Sequence, residues 1–78
     1  MPTIFYSDGF RFFFYSNEGN EPVHVHVEKG SGYAKYWMRP IRMDYAEGFN
    51  RRDIRRMTEL VVDNQQRIIQ AWEDHFGR

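Results

Sequence analysis

Residues 22–30, Pro-Val-His-Val-His-Val-Glu-Lys-Gly, alternate β-branched apolar and titratable side chains with a period of two. A helix cannot sort that pattern onto one face. A strand places Val23, Val25 and Val27 on one side and His24, His26 and Glu28 on the other. Valine also favours a pleated backbone. The stretch therefore predicts a central strand, with one side for the core and one side bearing two imidazoles and a carboxylate. A chain built on it needs partner strands and an apolar cover for the valines.

The neighbouring segments supply both. Thr3 to Tyr6 reads as a short strand, and Asp8-Gly9 after it accepts the positive φ of a tight hairpin turn. Phe10 to Tyr15 is dense in aromatics without helical spacing, so it reads as a strand with Phe10, Phe12 and Phe14 on one face and Arg11, Phe13 and Tyr15 on the other. Ser16 to Glu21 is a loop by composition, and Pro22 leads it into the histidine strand. Lys29-Gly30-Ser31-Gly32 is a turn, Tyr33 to Met38 a strand ended by Arg39-Pro40, and Ile41 to Tyr45 a last short strand that Ala46-Glu47-Gly48 breaks.

Asn50 has the character of a helix N-cap, with Asp53 placed as a capping-box carboxylate and Phe49 and Ile54 as a hydrophobic staple. Ile54, Met57, Val61, Ile68, Trp72 and Phe76 then recur at three-, four- and seven-residue steps, with Leu60 and Ile69 widening the stripe, until Gly77. An unbroken helix of this length would run about 39 Å at 1.5 Å per residue, against roughly 30 Å for a compact chain of this size. Asn64 falls on the apolar stripe, so the helix is expected to bend or break near Asp63-Asn64. The reading is a single α+β domain, residues 1–78: an antiparallel sheet of four or five short strands, covered on one face by the C-terminal helix. Phe10, Phe12, Phe14, Val23, Val25, Val27, Ile54, Met57, Val61, Ile68 and Trp72 form the expected core.

For a 78-residue chain, an aromatic content of 18% offers a strong core. The absence of cysteine excludes disulfides and thiolate metal sites. No leader or membrane span is recognisable, which makes the cytoplasm the expected location. Net charge is zero but unevenly spread: residues 29–56 carry eight bases against Asp44, Glu47 and Asp53, a local +5. That basic middle admits an anionic partner.

Three runs resemble one bacterial family. They are Arg11-Phe12-Phe13-Phe14-Tyr15-Ser16-Asn17-Glu18-Gly19-Asn20-Glu21-Pro22-Val23-His24-Val25-His26-Val27-Glu28, then Ala34-Lys35-Tyr36-Trp37, and the closing Ala71-Trp72-Glu73-Asp74-His75-Phe76-Gly77. The family is the domain of unknown function numbered 4160, which usually has proline where Val23 stands. The resemblance implies a small cytoplasmic protein, often encoded beside a member of the family numbered 2442, in a pair suspected of toxin–antitoxin character. It implies no catalytic assignment.

Two function classes follow. In the first, the exposed histidine face binds or cleaves RNA. A metal-independent RNase needs a base, an acid and a cation for the developing phosphorane charge. His24 or His26, Glu28 and Arg11 are the candidate catalytic set, while Tyr15, Lys35 and Trp37, with Tyr33, offer stacking and phosphate contacts. In the second, the domain is a non-catalytic module that binds a protein partner, the adjacent-gene product or a second copy, and the histidine face is inert. Arg51, Arg52 and Arg55 are then the binding residues, on a helical flank with Arg56. His-x-His with Glu28 also has the donor types of a divalent site. Residues two apart on a strand stand roughly 7 Å apart, so no native metal and no cofactor are assigned.

Overall fold

A computed structural model describes residues 3–77. Five strands, β1 (Thr3–Ser7), β2 (Phe10–Phe13), β3 (His24–Lys29), β4 (Gly32–Met38) and β5 (Ile41–Glu47), precede two helices, α1 (Arg51–Asp63) and α2 (Gln65–Phe76). The strands form one antiparallel sheet in the order β1-β2-β3-β4-β5. Every connection is thus between neighbours. The β1–β2 turn uses Asp8 and Gly9, both at positive φ (54° and 83°), as the Asp-Gly pair led one to expect.

Strand bounds differ from the sequence reading by one or two residues. Phe14 and Tyr15 lie beyond β2, Val23 precedes β3, and β5 continues to Glu47. A register shift between Lys35 and Tyr36 leaves Asp44 unpaired opposite β4, so β5 gains a residue without losing its alternation on either side.

One face of the sheet presents Phe10, Phe12, Val25, Val27, Ala34, Tyr36 and Met38, all buried. Met57, Leu60 and Val61 of α1 and Ile68, Ile69 and Trp72 of α2 close over them. All the expected core residues belong to this cluster, with Ile54 packed at its margin. The Tyr36 hydroxyl is within 2.6 Å of the Thr58 hydroxyl, which partners the one polar atom that β4 sends beneath α1.

The long apolar stripe is two helices. Asn64 separates them, its backbone and side-chain amides both donating to the Leu60 carbonyl (3.0 and 2.9 Å). The Gln65 side chain donates to the Met38 carbonyl at 3.1 Å and so ties the break to the end of β4. The break lets both halves follow a body whose longest dimension is 35 Å. Asn50 caps α1 by accepting the Asp53 amide at 2.8 Å, a contact worth about 1 kcal/mol. The Asp53 carboxylate pairs with Lys29 at 3.3 Å, so the expected reciprocal half of a capping box gives way to an anchor between α1 and the β3–β4 hairpin. Gly77 ends α2 in the left-handed conformation. No helix among the described residues is long and apolar enough to cross a membrane.

Candidate functional site

Strand parity places the polar residues of the second sheet face in three cross-strand rows. Arg11, Glu28, Tyr33 and Glu47 form the first row. Phe13, His26, Lys35 and Tyr45 form the second, and His24, Trp37 and Arg42 the third. The expected neighbours of the histidines are therefore present, but the face is not open where the histidines lie. His24 is 0% exposed and His26 4%. The loop from Phe14 to Val23 folds back over this end of the sheet, and Phe14 sits against Trp72 and Phe76 of α2. Gly19 allows that approach: a Cβ there would stand 2.5 Å from the Phe76 ring.

The loop delivers Glu18, which the sequence reading passed over. Its carboxylate accepts from the Tyr15 amide (2.9 Å) and from His26 Nε2 (2.9 Å), and lies 3.0 Å from His24 Nε2. His26 Nδ1 is 3.0 Å from the Tyr33 hydroxyl, which is in turn 3.4 Å from that of Tyr15. A carboxylate only accepts, so His26 carries its proton on Nε2 and takes a hydrogen bond from Tyr33 at Nδ1. His24 differs. Its Nδ1 is 2.9 Å from the Pro22 carbonyl and must donate there, while Nε2 is buried without a hydrogen-bond partner despite the nearby Glu18 oxygen. Proximity without hydrogen-bond alignment reconciles those two observations. The aromatic walls are Trp72 (4.8 Å between ring centres) and Trp37 (5.4 Å) on His24, and Phe13 (5.5 Å) and Tyr15 (4.9 Å) on His26.

Burial sets the electrostatics. Desolvation pushes the His26 pKa below its ordinary 6.5, and its contacts with Glu18 only partly restore it. Burial alone would raise the Glu18 pKa. The Tyr15 amide, the His26 hydrogen bond and the two imidazoles outweigh it, leaving Glu18 below its ordinary 4.5. Burial, then hydrogen bonds with Tyr15 and Tyr45, drives the Tyr33 phenol well above the usual range, so Tyr33 is a proton donor to His26 and not a phenolate.

Both carboxylate–imidazole shifts have the same consequence. With His26 lowered, the unfolded chain binds more protons below about pH 6.5; with Glu18 lowered, it does so again below about 4.5. Stability of the metal-free chain is thus full above pH 6.5 and falls as pH drops through both windows. Urea midpoints should decline steadily from pH 7 to pH 4, and Glu18→Gln should flatten the lower limb. A level wild-type profile contradicts this account.

The remaining candidates fall in other places. Arg11 and Glu28 pair with each other at 2.8 Å, and Arg11 covers the Phe13 ring at 4.2 Å, so Phe13 stands between this pair and His26. Four residues expected to act together are hence two separate pairs. Tyr15 joins the histidine cluster. Lys35 pairs with Glu21 at 3.3 Å and lies 4.3 Å over Trp37. Trp37 lines a groove of about 460 Å³ with Pro22, Val23, Arg39, Pro40, Arg42 and Asp44. Arg51, Arg52 and Arg55 are exposed on α1, away from the sheet's polar face, while Arg56 pairs with Asp8 and Glu59. Glu18 was detectable in principle only as an acid in a loop next to the histidine strand; no period marks it.

Fold and site together define a small α+β domain: a five-stranded meander backed by a broken helix, with a buried Glu–His–His cluster under its longest loop. The chain belongs to the family described as Domain of unknown function (DUF4160), whose model matches residues 9–73. That span includes the loop, both histidines and Trp72. No curated protein and no solved structure matches the chain.

Proposed function

We propose that this domain is a cytoplasmic, RNA-binding component of a partnered, toxin–antitoxin-like system, and that it holds single-stranded RNA on the open part of the sheet face. The observation that carries the reading is Trp37. It lines a groove whose other walls include Arg39 and Arg42, with the Lys35 ammonium beside its ring and Tyr45 in the adjoining row. Single-strand binders combine an aromatic surface for bases with cations for the backbone. Binding is favoured over cleavage because both histidines are enclosed and committed to Glu18, Pro22 and Tyr33, which leaves neither placed to exchange a proton with a substrate.

Stacking on an aromatic side chain contributes about 1–3 kcal/mol per base. Trp37→Ala should accordingly weaken binding of a fluorescent single-stranded RNA by about tenfold or more in anisotropy titrations. Arg42→Ala should lower the salt dependence, and Val62→Ala on α1 should change nothing. The RNA should emerge uncut. Equal affinities for wild type and Trp37→Ala would remove the reading.

The arginine flank supports a second contact, with an acidic protein such as the adjacent-gene product. Arg51, Arg52 and Arg55 are exposed and make no ion pair among the described residues. Replacing all three by alanine should abolish co-purification of the co-expressed neighbour while Trp37→Ala leaves it intact; retention of the neighbour by the triple variant argues against this contact.

A further inference from the structure

We propose that Glu18, His24 and His26 form a divalent transition-metal site, with zinc as the best-matched ion, that clasps the 14–23 loop to the sheet. One ligand atom from each of Glu18, His24 and His26 lies within 4.8 Å of the other two, and both Nε2 atoms face the Glu18 carboxylate. Two imidazoles and a carboxylate suit zinc chemically.

The distances are near those of coordination. Bonds of about 2.0–2.1 Å in a tetrahedron hold ligand atoms roughly 3.3 Å apart. The separations from one oxygen, Glu18 Oε1, to the two imidazoles, 3.0 Å to His24 Nε2 and 3.2 Å to His26 Nε2, are already close to that edge. Closing the remaining histidine–histidine edge requires only rotation of rings whose centres are 5.1 Å apart and perpendicular.

The bare nitrogen is the independent observation. His24 must donate from Nδ1 to the Pro22 carbonyl, so its neutral form leaves the Nε2 lone pair fully buried without a hydrogen-bond partner, 3.0 Å from a carboxylate oxygen with which it is not aligned. Two electron-rich atoms at that separation repel, and a cation between them turns repulsion into two bonds. Both rings also have their outer nitrogens fixed, His24 by Pro22 and His26 by Tyr33, which is the arrangement that orients metal-ligating imidazoles. His26 loads by moving its proton from Nε2 to Nδ1, where the Tyr33 hydroxyl accepts it and turns its own hydrogen away toward Tyr15; His26 releases no net proton. The fourth position is left to water. Glu18, with 13% of its side chain exposed, marks the side from which an ion enters.

The test uses the full chain without an affinity tag, stripped with a chelator and confirmed folded by circular dichroism. Titration with Zn²⁺ should give one ion per chain. Co²⁺ should produce the visible absorption of a low-coordinate nitrogen–oxygen site, and the melting temperature should rise by about 15 °C at roughly 100-fold excess over Kd. Glu18→Gln, which keeps the loop's shape and its acceptor for the Tyr15 amide, should weaken binding by at least about tenfold, as should His26→Gln. His75→Gln and Glu28→Gln should bind as wild type. A folded wild-type chain that takes up no stoichiometric Zn²⁺ overturns the proposal, as does undiminished binding by both Glu18→Gln and His26→Gln. So does a nitrogen NMR spectrum in which His24 Nε2 stays protonated in excess Zn²⁺, since a proton would then fill the position assigned to the metal.

Discussion

Gly48→Ala is expected to cost about 3 kcal/mol, a large share of the roughly 4–12 kcal/mol available to a domain of this length. Gly48 joins β5 to the α1 cap with φ of 79°, where a Cβ costs about 1–2 kcal/mol. The added methyl would also stand 2.9 Å from the Gly32 Cα and 3.1 Å from the Ser31 carbonyl oxygen. Those are backbone atoms where the β3–β4 turn enters β4, and they cannot swing aside as a side chain would. Gly30→Ala is the matched control: φ is 58°, but nothing lies within 4 Å of its added Cβ, so only the conformational cost of about 1 kcal/mol applies. Urea denaturation at constant m-value measures both. Equal losses would show that the close approach of the two turns contributes nothing.

That approach also explains which parts of the fold were legible in sequence. The strands could be read because each carries its own period, and the helix break could be read because an amide interrupted an apolar stripe that was already too long for the body. The Asn50 cap was local chemistry and appeared as expected. Asp53 was local chemistry too, yet Lys29, 24 residues earlier, captured its carboxylate. A long-range ion pair leaves no mark in the spacing from which a capping box is inferred.

The candidate site divides along the same line. Alternation correctly put His24, His26 and Glu28 on one side of β3, and a wet face followed naturally from their polarity. Burial of that face comes from the 14–23 loop, whose path depends on Phe14 reaching Trp72 and Phe76 at the far end of the chain. Glu18 therefore displaces Glu28 as the histidines' carboxylate for a tertiary reason. Glu28 is held by Arg11 on the neighbouring strand, a cross-strand pair that parity allowed but could not rank against a loop residue. Backbone spacing alone keeps residues two apart on a strand from meeting at one ion. The rings, turned perpendicular at 5.1 Å, and a donor arriving from above both lie outside it.

Trp72→Ala is expected to have the largest effect of any single substitution, about 3–5 kcal/mol, because truncating a buried aromatic removes its transfer free energy and leaves a cavity. Trp72 is 3% exposed and packs at 4.4 Å on Phe76, 5.3 Å on Phe14 and 4.8 Å on His24. It is thus the piece that joins α2, the loop and the histidine strand. Urea denaturation at pH 7.5 should place the variant near the limit of folding. Trp72→Phe, which keeps a ring against Phe14 and Phe76, should lose less than half as much. The partly stable Phe variant carries the second readout, modification of His24 by diethylpyrocarbonate followed by mass spectrometry. Wild-type His24, with no exposed surface, should resist the reagent; Trp72→Phe should admit it at His24 sooner than at His26, whose walls are Phe13, Tyr15 and Tyr33. If His24 and His26 become reactive together, the loop opens as one unit and Trp72 acts on the cluster through loop anchoring. If His24 reacts first, the indole is itself the lid over that imidazole.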